Sequence, residues 1–124
     1  MITHTDGENT VFRAQGNLCE RDGVFCISYP CEGDEVTLQF SQNSFRMSRR
    51  GQSGLHAEFS TDRETKMELS GEGGFGAIPL TTKAYRCKAG ANGFRIHLLY
   101  TLKYHNACQN FNLVITIHYL SEEK

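Results

Sequence analysis

Five cysteines and five histidines in 124 residues are the side chains that could hold a metal ion or carry nucleophilic chemistry. A structural zinc site needs paired thiolates or imidazoles a few residues apart. The closest cysteines, Cys26 and Cys31, have four residues between them and would fall on opposite faces of a regular strand. The odd cysteine count, in a chain with no export signal, reads as free thiols in a reducing compartment. No metal and no cofactor is implied. Nucleophilic catalysis needs a Ser or Cys beside a base and an orienting acid, and no Gly-x-Ser-x-Gly elbow occurs. The glycine-dense run Gly71-Glu72-Gly73-Gly74-Phe75-Gly76 lacks the Lys-Ser/Thr and the following helix of a phosphate loop. It reads as a flexible turn at a rim. No catalytic residue is assigned.

Two polar groupings remain. Pairing of the last two strands is expected to set Arg95 opposite His118 and His97 opposite Thr116, a patch read as part of a half-exposed outer wall. Arg46, Arg49 and Arg50 interleave with Phe45 and Met47, but alternation sends both apolar residues inward and leaves no exposed platform for stacking bases. A solvated charged strand is expected, with no nucleic-acid partner. More informative are Tyr29, Thr82, Tyr100 and Tyr104, whose hydroxyls fall on otherwise apolar faces. Each needs a hydrogen-bond partner or costs about 1–3 kcal/mol. Arg49 shares the face of Phe45 and Met47 at its strand end, where it could meet an anionic group. These five residues form the candidate ligand-binding set, for a small, partly apolar and acidic molecule held in an interior pocket.

The elements that must position them are strands. Helical periodicity is almost absent and period-2 alternation recurs throughout. Phe94, Ile96, Leu98, Tyr100, Leu102 and Tyr104 share one face of a strand, and Phe111, Leu113, Ile115, Ile117 and Tyr119 one face of the next, with 105–110 read as the loop between them. Upstream, strands are expected over residues 10–20, 23–31, 35–41, 44–50, 55–61, 65–70 and 77–88, the last carrying Ile78, Leu80, Thr82 and Ala84 on one face. Asp22-Gly23 and Gln42-Asn43 mark turns, and Pro79 places the start of its strand at an edge or bulge. About eight to ten such strands have a long apolar edge to protect, and closure into a single up-and-down antiparallel β-barrel does so. The domain is expected over residues 10–120, with polar tails at 1–9 and 121–124.

Composition agrees with one compact domain: 39% hydrophobic, 22% charged and a net charge of −1. That balance offers no general attraction to nucleic acid or anionic membranes. The polar start, with Asp6 and Glu8, is no secretory signal, and no apolar run approaches the roughly 20 residues that span a bilayer. A cytoplasmic protein with no membrane partner is expected.

Arg49-Arg50-Gly51, Phe59, Gly76, Thr82, Tyr100-Thr101-Leu102 and Leu113-Val114-Ile115-Thr116-Ile117, in this order and spacing, resemble the YwiB-like family, a bacterial domain of unknown function. The resemblance runs from about Phe12 to Ile117 and implies a lipocalin-like (calycin-like) β-barrel in a cytoplasmic bacterial protein, with no activity or catalytic residues to carry over. The chain departs from the family after Tyr29, where Pro30 and Cys31 precede Glu32 in place of the usual acidic residue. The reading therefore favours a non-enzymatic binding barrel over a filled scaffold that engages a partner or a second copy of itself through Leu99, Val114 and Leu120. Both rank above an enzyme.

Overall fold

The computed structural model describes residues 2–5, 11–52, 54–71 and 74–119, the first two strands as backbone. The described residues form eleven strands: β1 (Ile2–Thr5), β2 (Val11–Ala14), β3 (Asn17–Arg21), β4 (Val24–Cys31), β5 (Asp34–Phe40), β6 (Phe45–Arg50), β7 (Gly54–Phe59), β8 (Thr65–Gly71), β9 (Gly74–Gly90), β10 (Gly93–Tyr104) and β11 (Ala107–His118). They hydrogen-bond in one antiparallel sheet of order β2-β1-β11-β10-β9-β8-β7-β6-β5-β4-β3. From β3 to β11 every neighbour in the sheet is a neighbour in sequence, the up-and-down connectivity expected of short hairpins. At Asp22-Gly23 (φ 54° and 83°) and Glu32-Gly33 (φ 52° and 87°), two-residue turns have positive φ at both positions. That is the geometry whose twist matches a hairpin.

The two ends of the sheet order, β2 and β3, are consecutive in the chain and joined by Gln15 and Gly16 alone. The segment read as one strand over 10–20 is therefore a strand that changes partner midway. Its first half pairs with β1 and its second with β4, which curls the sheet into a barrel with a seam at Gly16. The backbones touch there: a Cβ on Gly16 would sit 2.3 Å from the Ser28 carbonyl oxygen.

The inward faces meet as a filled core. Leu38, Phe40, Phe45, Ala57, Leu80, Ile96, Leu98 and Ile115 have 0% exposure, so no water-sized space touches them. Aromatic rings bridge strands distant in the sheet: Phe94 of β10 lies 4.5 Å from Phe25 of β4 and 5.1 Å from Phe40 of β5 (ring centroids), and Phe59 of β7 lies 5.0 Å from Tyr100.

Four expectations are corrected. Residues 1–9 are not simply a tail, because Ile2–Thr5 form β1 and pair with β11; residues 121–124 lie outside the described residues. The last hairpin turns at His105-Asn106, with Tyr104 opposite Ala107, so its register differs by two residues: Arg95 faces Thr116, His97 faces Val114 and His118 faces Gly93. Residues 107–110, read as loop, are strand. In β9 the ladder to β10 shifts between Leu99 and Tyr100, leaving Lys83 as an extra residue. Alternation then changes phase, so Tyr85 and Cys87 turn inward and Ala84 is exposed. Pro79 sits where β9 is paired with β8 but not yet with β10, whose ladder begins at Leu80, so its missing donor falls at a locally open edge.

Candidate functional site

At one end of the barrel the inward face of β4, β5 and β6 carries Tyr29, Cys31, Asp34 and Arg49. Alternation puts them there: Tyr29 continues Phe25 and Ile27, Asp34 precedes Val36 and Leu38, and Arg49 follows Phe45 and Met47. Arg49 Nε donates to Asp34 Oδ2 at 2.7 Å, and its Nη2 lies 3.6 Å from a Glu32 carboxylate oxygen and 3.5 Å from the Cys31 carbonyl oxygen. The second Asp34 oxygen accepts the Gln52 backbone N–H at 3.2 Å. One guanidinium thus serves two carboxylates, which sets Arg49 against the expected role of meeting an anion. Its hydrogen bond holds the Asp34 carboxyl below its ordinary 3.8. A carboxyl lowered in the folded chain contributes stability above its unfolded value and loses it as pH falls through the folded one. On acidification toward about pH 3, the denaturation midpoint is expected to fall further in the native chain than in Asp34→Asn. Parallel curves would remove the ion pair from the account.

Tyr29 is 2% exposed, and burial pushes its phenol well above the usual range. Beside it, at the seam, opens a cleft of about 680 Å³ lined by Gln15, Gly16, Asn17, Ser28, Tyr29, Pro30, Gly33, Asp34, Glu35 and Arg50. This volume lies within the roughly 300–1,000 Å³ of small-molecule sites. Its edges are ordered: Arg50 Nη2 donates to Glu35 Oε1 at 3.0 Å and Ser28 Oγ shares a hydrogen bond of 3.1 Å with Thr37 Oγ1.

The five residues singled out in the sequence do not converge on one interior pocket. Tyr29 and Arg49 belong to the seam end. Thr82 is 5% exposed on β9, and its Oγ1 has no hydrogen-bond partner among the described residues. Tyr100, opposite Thr82, is wedged between Phe59 and Phe111, stacking on the latter at 5.0 Å. Tyr104 is 37% exposed because the β9–β10 ladder ends at Leu102, two residues short of it. A buried hydroxyl with no partner is worse than a methyl, so Thr82→Val is expected to raise the urea midpoint by about 1 kcal/mol of stability. A loss would mean that the hydroxyl is satisfied.

Sequence reasoning missed Asp34, the cleft-lining Gln15, Asn17 and Ser28, and Tyr85, whose hydroxyl donates to the Ser41 carbonyl and whose phenol burial raises. Asp34 was legible as the next inward position before Val36; Tyr85 required the bulge. His97 bonds Asn112 Oδ1 through Nε2 at 2.7 Å and sits four rungs from His118, so the two imidazoles form no common patch. Arg46, like Arg49 and Arg50, pairs with a carboxylate on an adjacent strand, Glu58 at 3.2 Å. Leu99 and Val114 are half-buried, Val114 pairing with Thr5 of β1, and Leu120 lies outside the described residues. Among the described residues no three of His, Cys, Asp and Glu gather as a metal site, and no helix is long and apolar enough to cross a membrane.

A single up-and-down sheet curled on itself around an aromatic and aliphatic core is a lipocalin-like β-barrel. The chain belongs to the family described as Domain of unknown function (DUF1934), which matches residues 1–116. It is similar to the crystal structure of ywiB protein from Bacillus subtilis, with a TM-score of 0.76 and 19% identity, covering 97% of this chain and 89% of that one. At that identity the likeness speaks for the fold, and with the family match it confirms the YwiB-like resemblance read from the sequence. No curated protein matches the chain.

Proposed function

We propose that this protein is a non-enzymatic binding barrel that takes a small, uncharged polar molecule with one flat apolar face in the seam cleft, not in the barrel interior. The observation that carries this reading is the 680 Å³ cleft beside Tyr29, set against core side chains of zero exposure. The side-chain amides of Gln15 and Asn17 and the Ser28 hydroxyl supply neutral donors and acceptors; Pro30, exposed beside the buried Tyr29, supplies apolar surface. The nearby charges are already paired, Asp34 with Arg49 and Glu35 with Arg50, which disfavours a strongly charged ligand.

Native mass spectrometry of protein purified gently from its own host tests the reading. A reproducible added small-molecule mass is expected, lost in Asn17→Trp, which fills the cleft from an exposed position without touching the core. A bare monomer would overturn it. The rival scaffold reading draws on Phe75, which is 71% exposed at the β8–β9 hairpin. A bare dimer that Phe75→Ser converts to monomer would favour that reading instead.

A further inference from the structure

Among the five cysteines, Cys19 and Cys26 alone face each other across a ladder, on neighbouring β3 and β4. Their cross-strand counterparts elsewhere are not cysteines: Cys31 faces Asp34, Cys87 faces Ile96 and Cys108 faces Lys103. The hairpin geometry fixes the separation. Arg21 and Val24 flank the two-residue turn Asp22-Gly23 and form its closing hydrogen-bonded pair. Pair types alternate along an antiparallel ladder, so Cys19 and Cys26, two rungs on, are again a hydrogen-bonded pair with Cα atoms about 5.5 Å apart. A disulfide spans Cα separations of roughly 4.4–6.8 Å and Cβ separations of about 3.5–4.5 Å; opposite Cβ atoms of a hydrogen-bonded pair are about 5.5 Å apart, so closing the bond draws β3 toward β4. The side chains share the outer face, because Phe25 and Ile27 on either side of Cys26 pack inward.

We propose that Cys19 and Cys26 are a redox modification site, a dithiol that a peroxide converts to a cross-strand disulfide and a thiol reductant restores. Cys19 is the exposed member and reacts first; Cys26 is half-buried, and that burial pushes its thiol up, so it is the slower of the two toward peroxide. The Cys19 thiolate attacks one peroxide oxygen, the O–O bond breaks, and the products are a Cys19 sulfenic acid and hydroxide, which takes up a proton as water. The Cys26 sulfur then attacks Cys19 Sγ, the S–S bond forms, the S–O bond breaks, and a second water leaves. In total two thiols lose two hydrogens and one hydrogen peroxide becomes two waters. The consequence is local. β3 is the last strand of the sheet order, and its Asn17–Ser28 rung, two places from the cysteines, borders the cleft. The disulfide ties that border to β4.

The test treats the full chain with a small molar excess of hydrogen peroxide and reads intact mass and a non-reducing peptide map. The expected result is loss of the mass of two hydrogens, a linked Cys19–Cys26 peptide pair, alkylation confined to Cys31, Cys87 and Cys108, and reversal by dithiothreitol. Cys19→Ser and Cys26→Ser, both outer-face changes, should each abolish the loss of two hydrogens. Oxygen addition without a disulfide, a link to any other cysteine or to a second copy, or no reaction would overturn the proposal.

Discussion

Phe40→Ala is expected to cost about 3–5 kcal/mol, the largest loss of any single truncation discussed. Phe40 has 0% exposure, and its ring meets Phe25 of the adjacent strand at 5.6 Å and Phe94 from β10 at 5.1 Å. Truncation would open a void that three rings now exclude, and the barrel wall, tied by ladders on both sides of β5, cannot collapse to fill it. Urea unfolding followed by near-ultraviolet circular dichroism measures the loss. If the interior were a hollow ligand chamber, the same truncation would enlarge an existing space and cost about as little as a surface change, within ±0.5 kcal/mol.

The second large effect is expected at the seam. Gly16→Ala places a Cβ 2.3 Å from the Ser28 carbonyl oxygen and 3.1 Å from Tyr29 Cβ. The first is backbone, so β3 itself must move away from β4, at a cost of about 1–3 kcal/mol. That displacement also deforms the cleft, so any bound mass seen in the native protein should be lost together with the stability. Gly90→Ala is the matched control, since a Cβ there meets nothing within 4 Å. Equal stability of the two variants would refute the seam as drawn.

The strands were readable because a barrel wall imposes a period of two that survives in the inward positions of β4 to β8 and β10. What was not readable depended on partners far away in sequence. Ile2–Thr5 is short and carries a single apolar residue; it becomes a strand because β11 offers it an open edge. Residues 107–110, Ala-Cys-Gln-Asn, look like a loop because none carries a large apolar side chain, yet all four are exposed and pair with Thr101–Tyr104 of β10. The Lys83 bulge leaves a trace, inward Leu80 and Thr82 followed by inward Tyr85 and Cys87, that a strict alternation overlooks. Of the candidate site, Tyr29 and the inward orientation of Arg49 were legible, as was Asp34 by its place two residues before Val36. The cleft was not, because it exists only where a single strand changes neighbours at Gly16.

The central claim is that the barrel is filled and that binding belongs to its seam. Its most direct test is a ¹H–¹⁵N correlation spectrum of labelled protein before and after addition of the small-molecule fraction of a host lysate. The account predicts shifts at the Asn17, Ser28, Tyr29 and Arg50 amides, with Ile96, Leu98 and Thr82 unmoved. Shifts centred on Ile96, Leu98 and Thr82, or none at all, would contradict it.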